Sequence, residues 1–308
     1  MIIGTSQKGA VTTLELALDV GQTQYIWVTS DVHVDSVYSN RKLFLSDLDE
    51  ASKREAAIVI NGDLVDAMQG RFDPRRDMSM LRPEYRRADY YDFVVYDIAG
   101  LLSPYAKWMK LISPGNHELA VLKNANTYLS DRIVRELNKE GGDVQHGGYG
   151  GWIRALIKDG TGAGGSAIKI KYFHGAGGEA PVTRGAIQTN RQAVYLPDAD
   201  VVINGHSHNS YHIPITRERL GNKGDQYFDT QHHVRTPGYM QSYGDGTVGW
   251  EVTRGGVPKP LGGAFIKITA TSGRQSKRPI VAVEPIIHSP SPLSPTNDIF
   301  QGTVYPQE

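Results

Sequence analysis

Short apolar runs that stop abruptly on polar side chains recur along this chain. Residues 25–29 run into Asp31 and His33, residues 56–60 into Asp63 and Asp66, and residues 108–113 into Asn116 and His117. Residues 168–173 run into His174, and residues 201–203 into His206 and His208. Each run is short, rich in β-branched and aromatic residues and closed by Gly or a polar group, which is the pattern of buried strands. Helical spacing lies between them. Residues 40–56 carry Leu43, Phe44, Leu48 and Ala51; residues 83–102 open on Pro83 and carry Tyr91, Val94, Val95, Ile98 and Leu102. Residues 127–142 end on Gly141 and Gly142, a helix-stop signal. The alternation predicts an α/β sheet with its strand ends on one edge. The stretch 161–167 reads as a turn between two further strands, 151–158 and 167–173. Beyond residue 209 strand-like runs and turns predict a second sheet packed on the first. Residues 288–308, rich in Pro and Ser, read as a surface tail.

Composition narrows the chemistry. The apolar share of 39% and charged share of 21% are those of an ordinary globular protein. A formal net charge of zero gives no global field toward nucleic acid or an anionic membrane. With no cysteine there is no disulfide, thiolate ligand or Cys nucleophile, so any metal must be held by His, Asp, Glu or Asn. The opening residues lack the basic start, apolar stretch and small-residue cleavage site of a secretory leader, and no run is long enough to span a membrane. The expectation is a cytoplasmic protein with no membrane partner.

A lone His-x-His pair, such as His206 and His208, is weak as a metal signal. It gains weight from company. In open α/β sheets, functional groups gather beyond the carboxyl ends of the strands. Asp31, His33, Asp63, Asp66, Asn116, His117, His174, His206 and His208 all fall at such positions, and these residue types suit a hard or borderline divalent cation.

Five blocks occur in order: Asp31-x-His33, Gly62-Asp63-x-x-Asp66, Gly115-Asn116-His117-Glu118, His174-Gly175 and Gly205-His206-x-His208. Together they closely resemble the calcineurin-like metallophosphoesterases, over about residues 25 to 210. The block set is shared with the DNA-repair exonuclease branch, and "HVRTPGYMQSYGDG" and "KPLGGAFIKI" are similar to the closing segment of phosphoesterases often carried by phages. The resemblance implies a four-layer α/β/β/α sandwich of two packed mixed sheets, with the metal site at the strand C-terminal ends. It implies one domain over residues 1–287, with an Arg-rich insertion at about 67–107, then the tail. It implies two divalent ions, manganese first, with Zn, Fe, Ni and Mg as alternatives. Asp31, His33 and His208 would hold one ion; Asn116, His174 and His206 would hold the other; Asp63 would bridge both. Two like charges about 3.5–4 Å apart repel, and a shared carboxylate offsets that repulsion. The implied reaction is hydrolysis of a phosphodiester or phosphomonoester by a metal-bridging hydroxide. His117 would contact the phosphoryl group or protonate the leaving group, and Asp66 would hydrogen-bond His117 and favour its cation.

Plainer readings stand beside these. Asp66 could cap a helix, Glu118 reads as a helix-start residue or as one that supports the ligands from behind, and His146 as a turn residue on the surface or, less favoured, a site residue. His232 and His233 face opposite sides of a strand, so at most one reaches a site. His212, close behind His208, reads either as a neighbour of the metals or, in preference, as a solvated strand position. The Arg-rich stretch sets Arg71, Arg75, Arg76, Arg82, Arg86 and Arg87 against Asp73, Asp77 and Glu84. It is either a solvated face or an anion-binding rim, with Arg75 and Arg76 as substrate contacts and Tyr85, Tyr90 and Tyr91 placed to stack on bases. Three functions follow: a small-substrate phosphoesterase, a DNA or RNA nuclease with nucleic acid as partner, or a non-catalytic metal-binding scaffold. His117 and Asp66 argue against the scaffold, which needs no acid, and the neutral charge favours the first.

Overall fold

The computed structural model describes residues 1–67, 73, 76–158, 166–178, 182–243, 250–253, 255–271 and 278–290. Two strands not foreseen from the sequence come first, β1 (Ile2–Lys8) and β2 (Val11–Ala17), an antiparallel hairpin. In β2 the buried positions Thr12, Leu14 and Leu16 alternate with partly exposed ones, but a threonine among them blurs the period in sequence. Next come β3 (Thr23–Thr29), α1 (Arg41–Lys53), β4 (Ala57–Asn61), α2 (Tyr90–Leu102) and β5 (Met109–Ser113). They are followed by α3 (Asn116–Ala125), α4 (Leu129–Lys139) and the short β6 (Gln145–His146). The second half holds β7 (Gly150–Lys158), β8 (Ser166–Phe173), α5 (Ala186–Tyr195), β9 (Val201–Asn204), β10 (Tyr211–Leu220) and β11 (Gln226–Arg235). It closes with α6 (Trp250–Thr253), β12 (Leu261–Thr269) and β13 (Ile280–His288).

The strands form a six-stranded sheet, ordered β13-β12-β3-β4-β5-β6, and a seven-stranded sheet, ordered β1-β2-β7-β8-β9-β11-β10. Both are mixed: β3 to β6 run parallel while β12 runs antiparallel to β3, and β8, β9 and β11 run parallel beside the antiparallel β7 and β10. Alternation along the central strands sorts the core into two layers. Trp27, Ile58 and Ile60 face α1, α2 and α4, packing with Phe44, Leu48, Val94, Ile98 and Ile133. Ile26, Val28, Ala57 and Val59 face the other way, onto Leu14, Ile153, Ile170, Val201 and Ile203 of the second sheet. Helix α5 covers the far side of that sheet through polar contacts: Gln192 and Asn204 exchange hydrogen bonds of 2.9 and 3.2 Å. The result is the expected α/β/β/α stack.

Local differences have local causes. The helix expected over 83–102 is two pieces. A single turn at Pro83–Tyr85 closes when Arg86 N–H bonds the Pro83 carbonyl, and α2 restarts from Asp89, whose carbonyl accepts from Asp92 and Phe93. The helix expected over 127–142 keeps only Leu129–Lys139; Gly141, at φ 86°, sits past its end as the left-handed residue of a C-terminal cap. The turn expected at 161–167 falls mostly outside the described residues, but β7 and β8 flanking it pair antiparallel. Nearly all of the tail, and Arg71 and Arg75 of the Arg-rich stretch, also lie outside the described residues. Among the described residues no helix is long and apolar enough to cross a membrane.

What the fold does for function is alignment. Asp31, Asp63, Asn116, His174 and His206 follow the last residues of β3, β4, β5, β8 and β9 by one to three positions, so both sheets deliver side chains to one edge.

Candidate metal centre

Sharp turns at these strand ends aim the side chains. Asp31, His33, Asp63, His206 and His208 all have left-handed backbones, with φ between 48° and 74°. Non-glycine residues adopt that conformation at a cost, and clusters of it mark sites where the surroundings impose geometry. Hydrogen bonds supply the imposition. Asp31 N–H bonds the Gly62 carbonyl, and Val32 and His33 N–H groups both bond the Asp63 carbonyl, fastening the first two loops together. The carboxylate of Asp31 accepts from Ser30 and, at 2.9 Å, from the His206 amide. The glycines beside these residues are packed tight. A Cβ on Gly115 would lie 2.1 Å from Asp63 Oδ1, and one on Gly205 2.6 Å from Asp31 Oδ2.

The side chains meet in overlapping groups. Ligand atoms of Asp31, His33 and His208 lie within 4.8 Å of one another, as do those of Asp63, His174 and His206. Asn116 joins the second group, with Oδ1 3.2 Å from His174 Nε2 and 2.7 Å from His206 Nδ1. His174 Nδ1 donates to the Asn61 carbonyl at 2.7 Å, which turns Nε2 inward to 3.1 Å from Asp63 Oδ2. A third group, His33, Asp63 and His117, overlaps the others.

The electrostatics suit a cation. Burial depresses the His174 and His208 rings, yet Asp63 and Asp31 around the first, and Asp31 and Glu251 around the second, outweigh it and push each up to about 10. Burial raises Asp63, but His174 and His117 hold its carboxyl well below the usual range. Asp31, Asp63 and Asp66 are thus held below the usual carboxylate range and His174 and His208 are drawn toward their cations, whereas burial and the neighbouring His174 lower His206. Among the described residues, Asp31 Oδ1 and His33 Nε2 are buried without a hydrogen-bond partner. Unpaired buried polar atoms of this kind are rare and call for a ligand, and carboxylate and imidazole donors fit a divalent ion.

His117 and Asp66 lie beside these groups. His117 Nδ1 donates to the Asp66 carbonyl at 2.6 Å and lies 3.3 Å from Asp66 Oδ1, so Nε2 is turned toward Asp63 Oδ2, 3.9 Å away. Asp66 Oδ1 is closer still to His33 Nδ1, at 3.0 Å, so this carboxylate serves two rings rather than His117 alone. Among the described residues it caps no helix.

Several residues support these side chains, and of them only Glu118 was foreseen from the sequence. Asp35, fully buried, accepts from the amides of Asp66 (2.6 Å) and Ala67 (3.0 Å) and from the Tyr90 hydroxyl (2.5 Å), so it holds the loop that carries Asp66. Glu118 does more than start α3: its carboxylate takes the amides of Asp63, Val65 and Gly115, clamping two loops, and burial beside Asp63 raises it to about 7. Gly238, at φ 81°, packs against Asp31, where a Cβ would sit 2.4 Å from the carbonyl oxygen. Glu251, 5% exposed on α6, lies 3.6 Å from His208 Nδ1, while His208 Nε2 faces Asp31 Oδ1 at 3.4 Å. An acid behind an imidazole fixes which ring nitrogen faces the ion and raises its basicity. Glu251→Gln is therefore expected to weaken divalent-ion binding by about 10–100-fold. Titration of the stripped, folded variant against a metal-indicator dye measures this, and unchanged affinity would end the assignment.

Other candidates stay outside. Tyr85 and Tyr90 are 0% and 2% exposed, packed into the core beside α2, so neither can stack on a base. Arg76 is exposed, while Arg82 and Arg87 pair with Glu84 and Asp89 at 2.9 and 2.8 Å, and Arg86 bonds the Leu81 carbonyl. Those three behave as a self-paired surface. Arg75 lies outside the described residues. His212 is not simply solvated: its Nε2 meets His232 Nδ1 at 2.9 Å, while His233 turns to Gln231 on the opposite face. None of the three is in the ligand groups. His146 is half-buried, against Ser130 and Tyr128.

Residues 25–210 match the family model of the calcineurin-like phosphoesterases. No protein of curated function matches the chain. Similar solved structures include a conserved uncharacterized protein, a predicted phosphoesterase, from Streptococcus pneumoniae TIGR4, with 14% identity over 85% of this chain and 99% of that one, at a TM-score of 0.29. A metallophosphoesterase from Sphaerobacter thermophilus has 14% identity over 79% and 83%, at 0.28. GAP50, the anchor in the inner membrane complex of Plasmodium, has 12% identity over 88% and 90%, at 0.35. With more than half of its length matched, this chain belongs to the calcineurin-like phosphoesterase family.

Proposed function

We propose that this protein is a two-metal phosphoesterase that hydrolyses small phosphodiesters or phosphomonoesters. The observation that carries the reading is the pair of ligand groups, Asp31/His33/His208 and Asp63/His174/His206, joined by Asn116 and overlooked by His117. Asp31, His33 and His208 would hold one ion, Asn116, His174 and His206 the other, and Asp63 would serve both, with manganese as the first choice of metal. Ions held there supply the charge that polarises a phosphoryl oxygen and acidifies a water near neutral pH.

The chain's own residues do the rest. Asn61 orients His174 by a hydrogen bond to Nδ1, and the Glu251 carboxylate stands 3.6 Å behind His208 Nδ1 as its charge partner. Asp35 and Glu118 lock the loops that present Asp63 and Asp66. His117, with Nδ1 committed to Asp66, offers Nε2 to the phosphoryl oxygens or to the leaving-group oxygen. A centre that retains such an acid is built for turnover rather than for scaffolding.

The nuclease reading differs in its salt dependence. Binding of a polyanion weakens steeply with salt, whereas that of a small ester does not. The deciding assay offers a chromogenic phosphomonoester, a chromogenic phosphodiester and labelled single- and double-stranded DNA to stripped protein with Mn, Zn, Ni or Mg at two salt levels. Turnover of the small esters with little salt response is expected. Salt-sensitive DNA cleavage would move the protein to the nucleases, and no turnover with two ions bound would make it a scaffold.

A further inference from the structure

Two of the ligand groups meet in one short turn. His206 belongs to one and His208 to another, so Ser207 alone separates them along the chain. The turn is strained. Ser207 N–H bonds back to the Gly205 carbonyl at 2.9 Å with His206 between them at φ 74°, the rare left-handed form of a three-residue turn. His208 is left-handed as well, at φ 54°. Backbone of this kind keeps its shape only where its surroundings fix it. Amides fix the entry: Gly205 N–H bonds the His174 carbonyl at 2.7 Å, and His206 N–H bonds Asp31 Oδ2 at 2.9 Å. The exit is fixed at Asn209, whose Oδ1 accepts from Lys259 Nζ at 2.9 Å. The middle is held by Arg235.

Arg235 is the last residue of β11, and parallel pairing sets it beside Asn204, the last residue of β9. It is 4% exposed. Its Nη1 donates to Ser207 Oγ at 2.8 Å, and its Nη2 donates to Gln188 Oε1 of α5 at 3.1 Å. The guanidinium lies over the Tyr211 ring of β10, 5.1 Å from its centroid, and the Tyr211 hydroxyl accepts from Thr189 of α5 at 3.3 Å. Both supports of the guanidinium are therefore tied to one helix. A buried cation is costly, and one beside a site that takes up cations adds repulsion. Its contribution is geometric: a planar fork with donors fixed relative to each other holds Ser207 at a set distance from α5, which the single point charge of a lysine would not do. The next residue serves the other side of the centre. Thr236 Oγ1 meets Ser30 Oγ at 2.7 Å, and the Ser30 hydroxyl donates to the Asp31 carboxylate.

We propose that Arg235 is a positioning residue of the metal centre: through Ser207 it holds the His206–His208 turn and so sets the spacing of the two ligand groups. The proposal rests on the two-metal reading for the number of ions, but the anchor itself can be tested whichever number binds.

The test is metal binding rather than turnover. Stripped, folded protein is titrated with Mn(II) by calorimetry, and the loaded forms are compared by electron paramagnetic resonance, in which the exchange coupling of two Mn(II) ions follows their separation. Ser207→Ala removes one oxygen atom and leaves the backbone intact. It is expected to weaken the more loosely held ion by about tenfold or more and to change the coupling. Ser207→Thr keeps the hydroxyl and should stay within about twofold of wild type. Arg235→Met keeps an apolar stem over Tyr211 and should lose at least as much as Ser207→Ala. The double variant should lose no more than Arg235→Met alone, because both changes break the same contact. Wild-type affinity and coupling in Ser207→Ala overturn the proposal. So does a Ser207→Thr variant as weak as Ser207→Ala, or a double variant in which the two losses multiply. Should wild type take up one ion only, the two-metal reading fails and the single site decides: affinity lost in Ser207→Ala and kept in Ser207→Thr upholds the anchor, and unchanged affinity rejects it. No uptake by wild type rejects both.

Discussion

Asp63→Ala is expected to abolish hydrolysis of bis(p-nitrophenyl) phosphate, by at least about a thousandfold, or ~4 kcal/mol of barrier, and to lose both metals. Asp63 belongs to two of the three ligand groups, and among the described residues no other carboxylate does. Its Oδ2 lies 3.1 Å from His174 and 3.9 Å from His117, and its Oδ1 accepts the His117 amide at 2.9 Å. Removing it takes away the negative charge that both halves of the centre share, leaving several buried rings around a hole. A buried charge cluster that loses one partner is strongly destabilised, so the fold is checked by circular dichroism alongside metal content. Asp63→Asn keeps the shape and removes the charge, which separates lost packing from lost charge. One ion retained at full affinity in the alanine variant would show that Asp63 is not shared, and the two-metal reading would fall with it.

The gathering of these side chains was legible in the sequence because the chemistry sits at strand ends, while the bridging role of Asp63 came only from the family resemblance. A buried strand that breaks into Gly-Asp or Gly-Asn-His advertises its own loop, and five such breaks in order define a site before any coordinates exist. What supports those residues was not legible. Asp35 reads as one more acid in a loop; only the fold brings the Asp66 and Ala67 amides and the Tyr90 hydroxyl onto its carboxylate. Glu251 lies far along the chain in a segment without a period, and its value comes wholly from the long-range approach to His208. The tyrosines misled for the opposite reason. Tyr85 and Tyr90 stand in a charged stretch, so their local pattern suggested a surface, while the Pro83–Tyr85 turn buries the first and the start of α2 buries the second. The β1–β2 hairpin went unseen because Thr12 occupies a buried position.

His117→Ala is expected to keep both metals and lower turnover by about 10²–10⁴-fold, the usual weight of a positioned general acid. The structure makes this a sharp test, because the His117 ring also falls within ligand range of His33 and Asp63. Two roles compete for one ring. Its Nδ1 is committed to the Asp66 carbonyl and carboxylate, at 2.6 and 3.3 Å, so only Nε2 can serve. If Nε2 held an ion, the alanine variant would lose metal together with activity, and the role of acid would have to be withdrawn. If Nε2 serves the leaving group, metal content stays and the defect depends on the substrate. An ester of p-nitrophenol departs as a stable anion and needs little proton donation, whereas an alkyl or nucleoside alcohol needs it fully. The loss should therefore be smaller for the nitrophenyl ester than for an alkyl phosphodiester, and should fall on kcat more than on KM. Asp66→Asn, which loosens both His117 and His33, should show the same leaving-group dependence with a smaller loss. A defect equal for both ester types, with metal retained, would leave His117 as a contact to the phosphoryl oxygens and not as the acid.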